Sequence, residues 1–160
     1  MCRSVRCLAA LPLMLALASC SSRLPYEGKT QHELERMLKD DDPKVQAQGA
    51  YGLSLDRAKA SAAAPALIEA MNSPHASVRE KAARALAAAG PAAAAAVPAL
   101  MNALEDPDWT VQRQAALALG EIGSAAAPAV PALEELGNST DKPVREAARQ
   151  ALAKIEAVQP

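Results

Sequence analysis

The chain has 160 residues, a formal net charge of −1, 51% hydrophobic residues and only 2% aromatic ones, with one tryptophan and no phenylalanine. It has no basic excess of the kind nucleic-acid binders carry, and its length suits one domain. Three cysteines and two histidines leave a small stock of nucleophiles and metal ligands.

The N-terminus reads as an export signal over residues 1–19. Arg3 and Arg6 form a positive start, and Cys7 to Ala18 is an apolar run interrupted by Pro12. Such a run is too short for a membrane span, which needs about 20 residues, and suits a signal sequence. It ends in Leu17-Ala18-Ser19-Cys20, which resembles the lipobox of bacterial lipoproteins. The resemblance implies cleavage before Cys20 and attachment of palmitate-type acyl chains there, which would anchor the protein to a membrane without spanning it. Ordinary secretory cleavage is the alternative. In Gram-negative lipoproteins a residue other than Asp after the cysteine favours the outer membrane, and Ser21 fits that. Cys2 and Cys7 leave with the signal, so no thiol remains for a disulfide, a zinc site or catalysis. Without Arg3 and Arg6 the balance is 15 basic to 18 acidic residues, a net charge of −3. Residues 20–29 read as the lipidated cysteine and a tether.

From residue 30 to residue 160 the chain repeats every 33 residues. One column is Val45, Val78, Val111 and Val144. Others are Leu53, Leu86, Leu119 and Leu152, and Leu34, Leu67, Leu100 and Leu133. A fourth is Pro65, Pro98 and Pro131, with His32 in the first unit. The units run about 30–60, 61–93, 94–126 and 127–157. Such a register marks stacked units that each touch only their neighbours.

The third unit shows the pattern. Val97 to Leu104 has helical spacing, with Pro98 in the first turn, where a missing amide costs nothing. Glu105-Asp106-Pro107-Asp108 separates it from a second helix over Trp109–Ile122. There Val111, Ala115, Leu119 and Ile122 share one face. Asp108 is its expected N-cap and Gly123 its C-cap. Asp42 and Asp141 hold the same cap place. His75 replaces them in unit two, with Ser73 able to take over. Gly90 is the C-cap of unit two. The ends depart from the pattern: Asp56 and Arg57 stand where Ile and Gly are expected, Gly137-Asn138 is expected to cut the last first helix short, and Arg149 replaces Ala.

Asp106-Pro107-Asp108-Trp109-Thr110-Val111, Ala118-Leu119-Gly120-Glu121-Ile122-Gly123 and Val130-Pro131-Ala132-Leu133 resemble the short HEAT repeats first associated with phycobilisome lyases. The resemblance covers about residues 30–157. It implies an all-α fold, a right-handed α-solenoid of about four helix-turn-helix repeats. The Thr-Pro-Leu-His turn of ankyrin repeats and the aromatic positions of tetratricopeptide repeats are missing.

Little in the chain suggests catalysis. Phosphate loops, nucleophile elbows and paired-cysteine motifs are absent from the sequence. Some HEAT-repeat hydroxylases hold iron with several His-Glu pairs, whereas here His32-Glu33 is a single pair. Asp40-Asp41-Asp42 reads as helix capping rather than a calcium site. Lyase activity inferred from the repeat alone would be fold analogy.

In the HEAT family the second helices line the concave side, so their outward residues form the expected binding surface. With Val111, Ala115, Leu119 and Ile122 facing in, 100° per residue places the outward positions two, six and nine after the Val and two before it. These are Ala47, Glu80, Arg113 and Glu146; Tyr51, Arg84, Leu117 and Gln150; Ser54, Ala87, Gly120 and Ala153; and Trp109. Trp109, Arg113 and Leu117 form a ridge, with Arg84 and Tyr51 beside it, above a floor of small residues. Trp, Tyr and Arg dominate interface hot spots. Each also has a structural reading: Trp109 packing over the neighbouring turn, Tyr51 filling gaps left by Gly49 and Gly52, Arg84 pairing with Glu80.

The sequence therefore points to a monomeric lipoprotein of the bacterial envelope, a non-catalytic scaffold or adaptor. Its expected partners are an unidentified envelope protein or peptide and the membrane, held through Cys20. No cofactor, metal or nucleic acid is expected. The alternative is a lyase-like or chaperone subunit assisting modification or assembly of another protein.

Overall fold

A computed structural model describes residues 24–157; the expected signal sequence over residues 1–19, Cys20 and the start of the expected tether lie outside them. α1 (Gln31–Leu38) and α2 (Pro43–Ser54) form the first unit. In the second, α3 (Arg57–Ala62) and α4 (Ala64–Ala70) share the first-helix place and α5 (Ala76–Ala89) follows. The third has a 3₁₀ segment at Gly90–Ala96, then α6 (Val97–Ala103) and α7 (Trp109–Ile122). The fourth has a 3₁₀ segment at Gly123–Ala129, α8 (Val130–Leu136) and α9 (Lys142–Glu156). The second helices pack in series, α2 on α5, α5 on α7 and α7 on α9, and each unit's first helix packs on its own second. This is the expected all-α solenoid; no strand occurs among the described residues.

The repeating columns make the core. Leu34, Leu53, Leu67, Leu86, Leu100, Leu119 and Leu133 are at most 1% exposed, as are Val78, Val111 and Val144. At the two ends the columns lose cover: Val45 and Leu152 are only half-buried. Arg149 is exposed, whereas Ala50, Ala83 and Ala116 in the same column are fully buried. A charge is tolerated there because, among the described residues, no further unit covers it.

Helix ends are set by local hydrogen bonds. Asp42 accepts from the Lys44 amide and Asp108 from the Thr110 amide, both at 2.8 Å. The hydrogen bonds from the Thr110 amide and hydroxyl hold the Asp108 carboxyl below its ordinary range. Asp141 occupies the N-cap of α9 but makes no side-chain cap bond, which corrects the expectation for it. His75 makes none either; Ser73 Oγ accepts the His75 amide instead. Thr30 and Glu33 form a capping box at α1, so Glu33 of the His32-Glu33 pair works at the helix start. Gly90 and Gly123 close α5 and α7 with φ of 61° and 77°, a backbone that side-chain-bearing residues rarely adopt. Ala76–Ala103 and Trp109–Leu136 are long and apolar enough to cross a membrane by length and composition, but these glycines break each stretch, and its parts pack within the solenoid.

Three further expectations change. Gly137 does not shorten α8, which has seven residues like α6; it follows as an αR cap. Asp56 does not simply polarise an end face: it caps α3, accepting from the Ala58 and Lys59 amides. One residue of the expected tether, Tyr26, packs on α2. Tyr26 lies against the core, and a Cβ on Gly52 would stand 2.7 Å from Tyr26 Cβ.

Candidate protein-interaction face

The second helices carry the expected outward columns on one side of the stack. Trp109 is 46% exposed at the start of α7, while Arg113 and Leu117, one and two turns on, are half-buried. The Arg113 guanidinium lies over the Trp109 ring, 5.8 Å from its centroid. On the neighbouring helices Arg84 is exposed on α5 and lies 5.0 Å over the Tyr51 ring of α2. Tyr26 meets Tyr51 edge-on at 5.0 Å, and Lys81 stands 6.0 Å from the same ring. The expected residues thus form two cation–π stacks, one joining adjacent units and one within α7.

Two structural readings give way here. Arg84 does not pair with Glu80, which instead holds Lys81 at 2.9 Å. The spaces at Gly49 and Gly52 are already taken by Leu34 and Met37 of α1 and by Tyr26, each within 2.8 Å of where a Cβ would stand. The small-residue floor is also discontinuous. Gly120 is buried, and its missing Cβ would stand 2.8 Å from Ala151 Cα. Gly120 is small so that α7 and α9 can touch.

The opposite feature is a hydrogen-bonded edge that sequence reasoning missed. Two residues before each second-helix cap, Asp40, Ser73, Asp106 and Ser139 accept the amide of the cap residue. Four residues after each cap, Gln46, Arg79, Gln112 and Arg145 donate back to the carbonyls of those same residues, at 2.6–2.9 Å. Arg79 goes further and grips the Asp106 carboxylate of the next unit through two bonds. Between units one and two, and between three and four, glutamine cannot make that bridge. Clefts of about 300 and 370 Å³ lie there, lined by Gln46 and His75 and by Gln112 and Asp141 among others. The signal was available in the sequence as two more columns spaced by 33, but they are polar and do not follow the apolar period.

A family model of HEAT repeats matches residues 30–97 and 64–153. Among solved structures the chain is similar to an engineered protein, at 28% identity and a TM-score of 0.69, covering 79% of this chain and 62% of that one. It is also similar to the complex of CpcE and CpcF of phycocyanin lyase from Nostoc sp. PCC7120, at 31% identity and a TM-score of 0.66, covering 81% and 54%. A designed armadillo repeat protein in complex with the peptide (KR)4 shares the fold at 18% identity and a TM-score of 0.67, covering 76% and 62%. The chain thus spans less than two thirds of the length of these structures. No curated protein matches it.

Proposed function

The chain belongs to the HEAT-repeat family, and on that footing we propose that it is a non-catalytic scaffold or adaptor whose second-helix face binds a protein or peptide. The observation that carries this reading is the pair of cation–π stacks, Arg84 on Tyr51 and Arg113 on Trp109. They place the residue types of interface hot spots, partly exposed, on three adjacent helices. The groups with shifted acidity are already committed to structure. Glu33 and Asp108 cap helices, Asp106 and Arg79 bridge units, and Tyr26 packs on α2. None of them is left over to serve as an acid, base or nucleophile.

The same proposal places the protein in the bacterial envelope, lipidated at Cys20 after removal of residues 1–19, on the periplasmic face of the outer membrane in a Gram-negative cell. Cys20 stands four residues before Leu24, at most about 14 Å of extended chain. The anchor then holds the first repeat close to the bilayer. Leu24 and Leu55, 53% and 57% exposed, border one surface hollow at that end and supply apolar contact. The binding face runs away from the membrane along the stack.

Crosslinking in the native cell tests both parts. Wild type should capture a stoichiometric partner, and Trp109→Ala with Arg113→Ala should lose it with helical content intact. An unchanged capture profile would sink the interaction face. Cys20→Ser should move the protein to the soluble fraction, and its retention in the membrane would count against the anchor.

A second reading follows from the likeness to the phycocyanin lyase complex. In it, the face presents another protein for modification or assembly. Its mark would be a copurifying cofactor, or a partner whose modification stops when the ridge is altered.

A further inference from the structure

The charges on the second-helix face are unevenly satisfied. Three carboxylates of the second helices each hold a lysine: Glu80 with Lys81 at 2.9 Å, Glu121 with Lys154 at 2.6 Å and Glu146 with Lys142 at 3.7 Å. Arg84 and Arg113 of the outward columns stand outside this pairing. No described carboxylate lies within 4.0 Å of Arg84 or Arg113. Each rests on an aromatic ring instead, and Arg113 Nε is buried without a hydrogen-bond partner. The face therefore presents two uncompensated guanidinium groups, on the adjacent helices α5 and α7.

A guanidinium lying over a ring can keep its N–H donors directed around its own edge. That edge matches a carboxylate in bidentate geometry. The ring also restricts the side chain beforehand, so less freedom is lost when a ligand arrives. Adjacent packed helices lie about 8–10 Å apart. Carboxylates two or three residues apart on an extended segment are about 7–10 Å apart. The half-buried Leu117 and Tyr51 add apolar surface to the same face.

We infer that this face binds an acidic peptide segment in extended form, with one carboxylate on Arg84 and another on Arg113. The inference rests on the interaction face proposed above and specifies the chemistry of its partner. A lipid surface is the weaker fit. Polybasic segments that bind anionic membranes present a cluster of unpaired cations, whereas here two guanidinium groups stand among three Glu–Lys pairs.

The only tryptophan in the sequence sits in one of the stacks, so binding can be read from its fluorescence. The probes are an octapeptide of alternating Glu and Ala and its Gln–Ala and Lys–Ala counterparts, titrated into the purified full-length protein. The Glu peptide should change Trp109 emission saturably, and added salt should weaken it; the Gln and Lys peptides should give no comparable response. Arg84→Gln with Arg113→Gln should weaken binding about tenfold or more, with the melting curve and helical content as a check on folding. Arg84→Lys with Arg113→Lys should restore it only in part, since lysine cannot make the bidentate contact.

Equal binding of the Lys peptide, no response to the Glu peptide, or full binding by the folded Gln variant would each overturn the inference. So would arginine-dependent binding to phosphatidylglycerol vesicles in place of the peptide, which would assign the face to a membrane. Loss of cellular capture in the Trp109 and Arg113 variant, without acidic-peptide binding, would overturn the acidic partner and leave the interaction face standing. Unchanged capture would remove both.

Discussion

Arg79 of the second repeat holds both carboxylate oxygens of Asp106 in the third, at 2.6 and 2.8 Å, while its Nη1 donates to the Ser73 carbonyl of its own turn. The side chains are 15% and 7% exposed, so the bridge is largely out of water. Burial alone would raise the Asp106 carboxyl. The bonds from Arg79 and the Asp108 amide outweigh it and hold the carboxyl below its ordinary range. Hydrogen bonding to Asp106 raises Arg79 in turn.

Removing one partner strands the other. Asp106→Ala should destabilise the protein by about 3 kcal/mol, read from thermal or urea melts at neutral pH. A depressed folded-state carboxyl stabilises fully above its unfolded value, near 3.9, and less as pH falls through the folded value. Wild-type stability should therefore fall below about pH 4. The gap between wild type and Asp106→Asn should narrow over the same range. A constant gap from pH 7 to pH 3 would contradict the assignment.

The contact between α7 and α9 gives a second expectation. A Cβ at Gly120 meets the Ala151 backbone at 2.8 Å, with no flexible side chain to yield. Helix propensity favours alanine over glycine by about 1 kcal/mol, but forcing the two helices apart costs about 1–3 kcal/mol. Gly120→Ala should thus lower the melting temperature, although in an open helix it would raise it. A stabilised variant would show that the interface relaxes freely.

The leucine column predicts two different costs for one substitution. Leu119 is fully buried between neighbouring units, and Leu119→Ala should cost about 2–5 kcal/mol. Leu152 holds the same register in the last unit but is only half-buried. Leu152→Ala should cost about 1 kcal/mol. Urea melts of the two variants check this directly, and equal losses would mean the terminal repeat is covered.

Much of this was legible because apolar spacing and stacking report the same geometry. Val111, Ala115, Leu119 and Ile122 define the inward face of α7, and its span from Trp109 to Ile122 follows from the cap residues on either side. The Arg84–Tyr51 stack was harder to read. Pairing within one helix suggested Glu80, yet Arg84 and Tyr51 stand 33 residues apart and so meet across a unit boundary. The 3₁₀ segments at Gly90–Ala96 and Gly123–Ala129 are alanine-rich, and composition alone does not separate them from α-helix. The packing of Tyr26, inside the stretch read as a tether, was not legible because a segment covering an end of the stack needs only one or two anchoring contacts and no period.

The two-unit alternation along the turn edge supplies the last prediction. Arg79 and Arg145 alternate with Gln46 and Gln112 in one column, and among the described residues of that column only Arg79 reaches the turn carboxylate of the next unit. At the last junction Gln112 donates to the Asp106 carbonyl at 2.7 Å, while Ser139 accepts the Asp141 amide. Arginine at 112 can keep the first bond, as Arg79 does with the Ser73 carbonyl. Aspartate at 139 can keep the second, as Asp106 does with the Asp108 amide. Gln112→Arg with Ser139→Asp should therefore build a second bridge and fill part of the cleft of about 370 Å³ beside Leu104 and Leu136. A gain of about 1 kcal/mol corresponds to roughly 4 °C in melting temperature for a domain of this size. Each single substitution should give less than half of that, because either new charge alone lacks its designed partner. A double-mutant cycle in thermal melts measures the coupling. Additive single effects would show that repeat register alone does not place the two side chains within reach.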